Sequence, residues 1–149
     1  MATKNFAFRL QSQHRPADAK ALSLVVEFKD ADGAWKGLEP SLETPGFRMY
    51  LLSLFLCQHF YLVANAAERS LPLARVEGGF EVVTAEDWII QSVKGDFSIR
   101  LDPAQGKPGA GAADQATLDY IKLRMQLCPV SRNLPSGVIK ETLLRAVQA

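Results

Sequence analysis

The chain holds two cysteines, and they are the residues best suited to chemistry. Cys57 ends the apolar run Tyr50-Leu-Leu-Ser-Leu-Phe-Leu-Cys57, and Cys128 opens the string Cys128-Pro-Val-Ser-Arg132. The thiolate, not the thiol, is the nucleophile and the metal ligand, so what surrounds each sulfur decides its use. A cysteine inside an apolar helix is ordinarily a small buried hydrophobe, and Cys57 has that bland reading. Cys128 is less bland because it precedes a helix-stopping proline and is followed by Ser131 and Arg132. At a helix C-terminus the carbonyl end of the dipole disfavours a thiolate. A reactive Cys128 therefore needs a compensating cation, or acts second to a more reactive thiol.

The elements that must position these sulfurs follow from periodicity. Residues 5–13 alternate Phe6, Phe8 and Leu10 against Ala7, Arg9 and Gln11, the period of a half-buried strand. His14-Arg-Pro-Ala-Asp18 is a turn, since proline pushes its predecessor out of the helical region. Residues 22–29 make a second strand, and Asp30-Ala-Asp-Gly33 turns the chain into a short third near Trp35. Thr44 and Pro45 suit the cap and first position of a long helix over 47–69, free of further proline and glycine. Its apolar residues lie on nearly all sides between Met49 and Leu56. It must be covered by sheet on one side and by a second subunit on another. Strands are predicted at 74–84 and 88–101, with an irregular start to the second. A loop at 102–113 carries Pro103, Gly106, Pro108, Gly109 and Gly111. Asp114 then caps a helix with Leu118, Ile121 and Met125 on one face, stopped by Pro129, and 138–147 forms a closing strand.

The 149 residues make a single α+β domain, 1–149, long enough to bury a core at 48% hydrophobic residues. A net charge of +1 lacks the footprint of a nucleic-acid binder. Residues 47–63 could be mistaken for a membrane span, but Arg48, Gln58 and His59 make a buried helix the better reading, with no membrane partner. Two cysteines are too few for a disulfide scaffold, and no signal-like segment opens the chain. The expected compartment is the cytoplasm, where thiols stay reduced.

In this order and setting, the mid-helix Cys57 in Leu51-Leu-Ser-Leu-Phe-Leu-Cys57 and the string Cys128-Pro-Val-Ser-Arg132 resemble the OsmC/Ohr family of hydroperoxide reductases. The first is similar to that family's Leu-Leu-Ala-Ala-Leu-Ala-Gly-Cys helix, and the second matches its second-cysteine string closely. The resemblance covers nearly the whole chain. It implies antiparallel sheets packed on a long buried central helix, in an intertwined homodimer with sites at the subunit interface. It makes Cys57 the peroxidatic thiol and Cys128 the resolving one, joined as a disulfide after turnover. The substrate would be an organic hydroperoxide, the reductant a small dithiol or thiol, and no cofactor is called for. The family's activating arginine comes from the loop joining its first two strands, which makes Arg15 the candidate. Arg48 is poorer: nine residues before Cys57, it lies on the opposite helix face and roughly 13 Å along the axis.

Two residues depart from the pattern. The family's glutamate, about ten residues before the cysteine, is replaced by Phe47, so Glu43 is the nearest acid able to hold the arginine. The family's small residue before the cysteine is replaced by Leu56. These changes keep a second reading open, an OsmC-like fold that has little or no peroxidase activity and binds a hydrophobic small molecule. Zinc held by His14, His59 and the cysteines is disfavoured, since Cys57 and His59, two apart on a helix, point away from each other. Tyr50, Phe55, Phe60 and Tyr61 are core packing by default, with a pocket lining as the alternative.

Overall fold

The computed structural model describes residues 2–147. Ten segments run in the order β1 (Thr3–Arg15), β2 (Lys20–Lys29), β3 (Trp35–Gly37), α1 (Gly46–Glu68), β4 (Leu73–Ala85), β5 (Ile90–Leu101), a 3₁₀ turn (Pro103–Gln105), α2 (Gln115–Gln126), α3 (Pro129–Arg132) and β6 (Ile139–Val147). The strands form one six-stranded sheet, ordered β3-β2-β1-β4-β5-β6. All pairs are antiparallel except β5 with β6. The antiparallel pairing expected from the sequence runs through the first five strands, and β6 completes the sheet by pairing parallel to β5. Its parallel pair explains why the last strand alternates poorly: β6 is an edge strand, buried at Thr142 and largely open elsewhere.

The alternation that marks β1 runs further than 5–13, so Phe8, Leu10, Ser12 and His14 are buried while Arg9, Gln11 and Gln13 face out. Val76, Phe80 and Val82 of β4 and Val93, Phe97 and Ile99 of β5 continue the inner face. Across it lies α1, which buries Leu51, Leu54, Phe55 and Leu62. Phe55 stacks on Phe80 with ring centroids 5.2 Å apart and meets Phe97 at 5.6 Å. Burying a phenylalanine stabilises by about 1.5–3 kcal/mol, so this trio anchors α1 to the sheet. It fits because position 78 is glycine: a Cβ there would come within 2.9 Å of the Phe97 ring. The helix is apolar and long enough to span a membrane by composition, yet these contacts make it a core helix.

Several boundaries move for local reasons. Pro45, not Thr44, is the N-cap of α1, because the Thr44 hydroxyl accepts a hydrogen bond from the Ser41 N–H at 2.9 Å. β5 starts at Ile90 rather than 88, because Trp88 takes a left-handed φ of 72° in the turn after β4. Asp114 does cap α2, its carboxylate accepting from the Thr117 N–H at 2.8 Å, and Leu118, Ile121 and Met125 are its buried face.

Candidate functional site

Cys57 lies three turns into α1 and is partly buried, while Cys128 is fully buried between α2 and α3. The two are joined as a disulfide with Cα atoms 6.0 Å apart, within the usual span for such a bond, across 71 positions of sequence. The long helix presents one sulfur, and the packing of α2 on α1 delivers the other.

The string after Cys128 folds differently from the sequence expectation. α2 ends at Gln126, and Pro129 does not terminate it but opens α3, with Cys128 as that helix's N-cap. Proline suits this first position because its missing N–H would have no partner there. The Cys128 N–H donates to the Met125 carbonyl at 3.2 Å, and its own carbonyl accepts from the Arg132 N–H at 3.0 Å. The Cys128 backbone therefore stands between the carbonyl end of one helix and the amide end of another, and the two fields oppose each other. Lys140 of β6 fixes α3 by donating to the Ser131 carbonyl at 2.9 Å.

Arg15 and Glu43 are not brought together within one chain. Arg15 ends β1 and is exposed; its guanidinium donates to both carboxylate oxygens of Asp18. That contact holds the Asp18 carboxyl well below the usual carboxylate range and raises Arg15. Glu43 is exposed in the loop before α1, its N–H donating to Ser41 Oγ. Phe47, just beyond, packs against Phe6 at 5.4 Å and Trp88 at 5.4 Å. Phe6 and Arg15 are nine residues apart along β1, roughly 30 Å at strand rise, so Glu43 belongs to the opposite end of the subunit. Arg48 is engaged elsewhere too, its guanidinium 3.9 Å from the centroid of the Phe28 ring.

Two features beside the disulfide were not foreseen. Gln58 is buried, and its side-chain carbonyl lacks a conventional partner while facing the Cα of Gly95, where a Cβ would lie 2.4 Å away. His59 turns from the cysteines toward β1, where Ser12 Oγ lies 2.9 Å from its Nε2, and burial drives its pKa down to about 4. The sequence carried a signal for Ser12: it continues the inward alternation of Phe8 and Leu10.

No protein-family model matches the chain, and no curated protein matches it by sequence. Solved structures do. An OsmC-like hydroperoxide resistance protein from Jannaschia aligns with a TM-score of 0.54 at 14% identity, over 87% of this chain and 86% of that one. An osmotic stress induced and detoxification response protein from Psychrobacter arcticus aligns with a TM-score of 0.54 at 10% identity, over 80% and 87%. The chain has the OsmC-like fold, an α+β architecture with a central helix on a six-stranded sheet. Within that fold the chain holds Cys57 and Cys128 at bonding distance.

Proposed function

We propose that the chain is a thiol-dependent reductase of organic hydroperoxides that uses Cys57 and Cys128. The observation that carries this reading is the joined pair, one sulfur partly open and the other buried. The Cys57 thiolate attacks the outer peroxide oxygen, the O–O bond breaks, and the alkoxide takes up a proton and leaves as the alcohol. Cys57 is then a sulfenic acid. The Cys128 thiol attacks its sulfur, the S–S bond forms and water departs. A dithiol reduces the disulfide by two exchange steps and is itself oxidised to a disulfide. Burial suits Cys128 to the second role, since it is shielded from peroxide and reaches only a sulfur already on α1. The hydroperoxide resistance protein from Jannaschia, with the same fold, supports the same chemistry.

The working unit in this reading is an intertwined homodimer in the cytoplasm. Phe60 and Tyr50 on α1 and Leu22 and Leu24 on β2 are exposed apolar residues that a second copy would bury. Arg15 and Glu43 act across that interface, Arg15 favouring the Cys57 thiolate and Glu43 steadying it from the other subunit. The rival reading, a binder of hydrophobic small molecules with little peroxidase activity, is favoured by Phe47, which packs among aromatic rings in the glutamate's place. Purified wild type and Cys57→Ser, each given cumene hydroperoxide and a dithiol, separate the two. Loss of nearly all consumption in the variant is expected; equal rates would overturn the reductase reading.

A further inference from the structure

Ser12, His14 and His59 are three buried polar side chains that the thiol chemistry does not use. Ser12 Oγ lies 2.7 Å from His14 Nε2 and 2.9 Å from His59 Nε2, and His14 Nδ1 lies 2.9 Å from the Ala19 carbonyl. The proton positions follow from the partners. A carbonyl can only accept, so His14 Nδ1 carries hydrogen and, in a neutral ring, Nε2 is bare. The Ser12 hydroxyl therefore donates to His14, and its oxygen accepts from the His59 Nε2–H. The chain of bonds has one polarity, from α1 through β1 to the left-handed residue Ala19 at φ 57° in the turn before β2.

This arrangement has no place for another proton. Added at His14 Nε2, it displaces the Ser12 hydrogen from its acceptor. Added at His59 Nδ1, it leaves a buried cation, and a second proton would put two imidazolium rings with centroids 6.0 Å apart. The charged neighbours do not relieve this. Arg15, Asp18 and Lys20 on the turn are exposed, with Arg15 and Asp18 paired and Lys107 acting on Asp18 from the 102–113 loop. Arg75 of β4 pairs with Glu77, and Cys57 on α1 is in the disulfide. Burial dominates both rings, the Ala19 carbonyl opposing it at His14 and the His14 charge adding to it at His59.

The same corner lies near an edge of the sheet. Outside β2 lies only the three-residue β3, paired with residues 27–29, and the β1–β2 register shifts between Gln13 and His14. We propose that Ser12, His14 and His59 are an acid-released latch: closed with both rings neutral, it holds the β1–β2 turn against α1, and proton uptake opens that corner while the rest of the sheet stays folded. It ties α1, two residues beyond Cys57, to the strand leading into Arg15, and it stands independently of the reductase reading.

Amide hydrogen exchange on the oxidised full chain, corrected for intrinsic rates, reads the latch. With His59 at about 4 when closed and at its ordinary 6.5 when open, the opening constant rises roughly 30-fold from about pH 7.5 to about pH 5. The Asp18 and Ala19 amides, which donate to the Arg15 carbonyl, should lose protection by that factor through an opening insensitive to low urea, while the β4–β5 amides exchange with the urea dependence of global unfolding. Equal protection at both pH values, or the same urea dependence at the turn as in β4–β5, overturns the latch. His59→Gln keeps an N–H donor but cannot titrate, so it should remove most of the acid-induced loss; an unchanged loss also overturns it. Long-range nitrogen spectra of the wild type at neutral pH should show hydrogen on His14 Nδ1 and His59 Nε2, and the opposite tautomers would refute the bonding scheme.

Discussion

Reduction of the Cys57–Cys128 bond should destabilise the folded chain by an amount set by the loop it closes. Cross-linking residues separated by 71 positions removes chain entropy from the unfolded state worth about 4 kcal/mol at room temperature. For a domain of this size that corresponds to a fall in Tm of roughly 10–15 °C. The assay is thermal unfolding of oxidised and fully reduced protein at one fixed concentration, followed by far-ultraviolet circular dichroism. Cys57→Ser, which removes a partly exposed sulfur, should unfold within a few degrees of the reduced wild type. Cys128→Ser should fall lower still, because it leaves a hydroxyl in a fully buried position. If oxidised and reduced wild type melt within about 2 °C of each other, the loop-entropy reasoning for this bond is refuted.

Gly95→Ala should lower stability by about 1–3 kcal/mol in urea unfolding, since its methyl would meet the Gln58 carbonyl at 2.4 Å and the Phe97 ring at 2.9 Å. Gln58→Met, which removes the unpartnered buried carbonyl at similar length, should be neutral or stabilising by the same measurement. His59 has a lowered pKa when folded, so the unfolded chain binds its proton first as pH falls. Global stability should be flat above about pH 6.5 and drop by about 3 kcal/mol toward pH 4, with His14 adding in the same direction; a urea midpoint unchanged over that range would contradict it. Asp114→Ala should cost about 1 kcal/mol by removing the cap on α2, whereas Asp114→Asn should cost much less.

Much of this arrangement is legible in the residues. The alternation of Phe6, Phe8 and Leu10 marks β1, and the glycine- and proline-free run from Phe47 marks α1. Leu118, Ile121 and Met125 identify the packed face of α2 from spacing alone. The pairing of β6 with β5 is not legible, because partner choice along a sheet is decided by tertiary packing and an edge strand leaves a weak pattern. Pro129 misled for a local reason: proline ends one helix and begins another equally well, and Cys128 stands between the two. Both cysteines stand out from their setting, and the fold joins them. The Ser12–His14–His59 chain is not, since its bonds join positions 47 apart in sequence and serine gives no local sign of a distant partner. Arg15 shows the same difficulty in reverse, its place in a turn being plain while its pairing with Asp18 emerges only once the turn is folded.

The parallel alignment of β6 on β5 has a consequence for how the thiols meet. Two parallel neighbours require a crossover, and here residues 102–138 supply it, carrying α2, Cys128 and α3 on the way. Cys128 therefore cannot reach Cys57 through local chain motion. It arrives when the crossover docks on α1, bringing together positions 71 apart in sequence. The bond between the two sulfurs is thus a covalent record that the crossover has docked on α1.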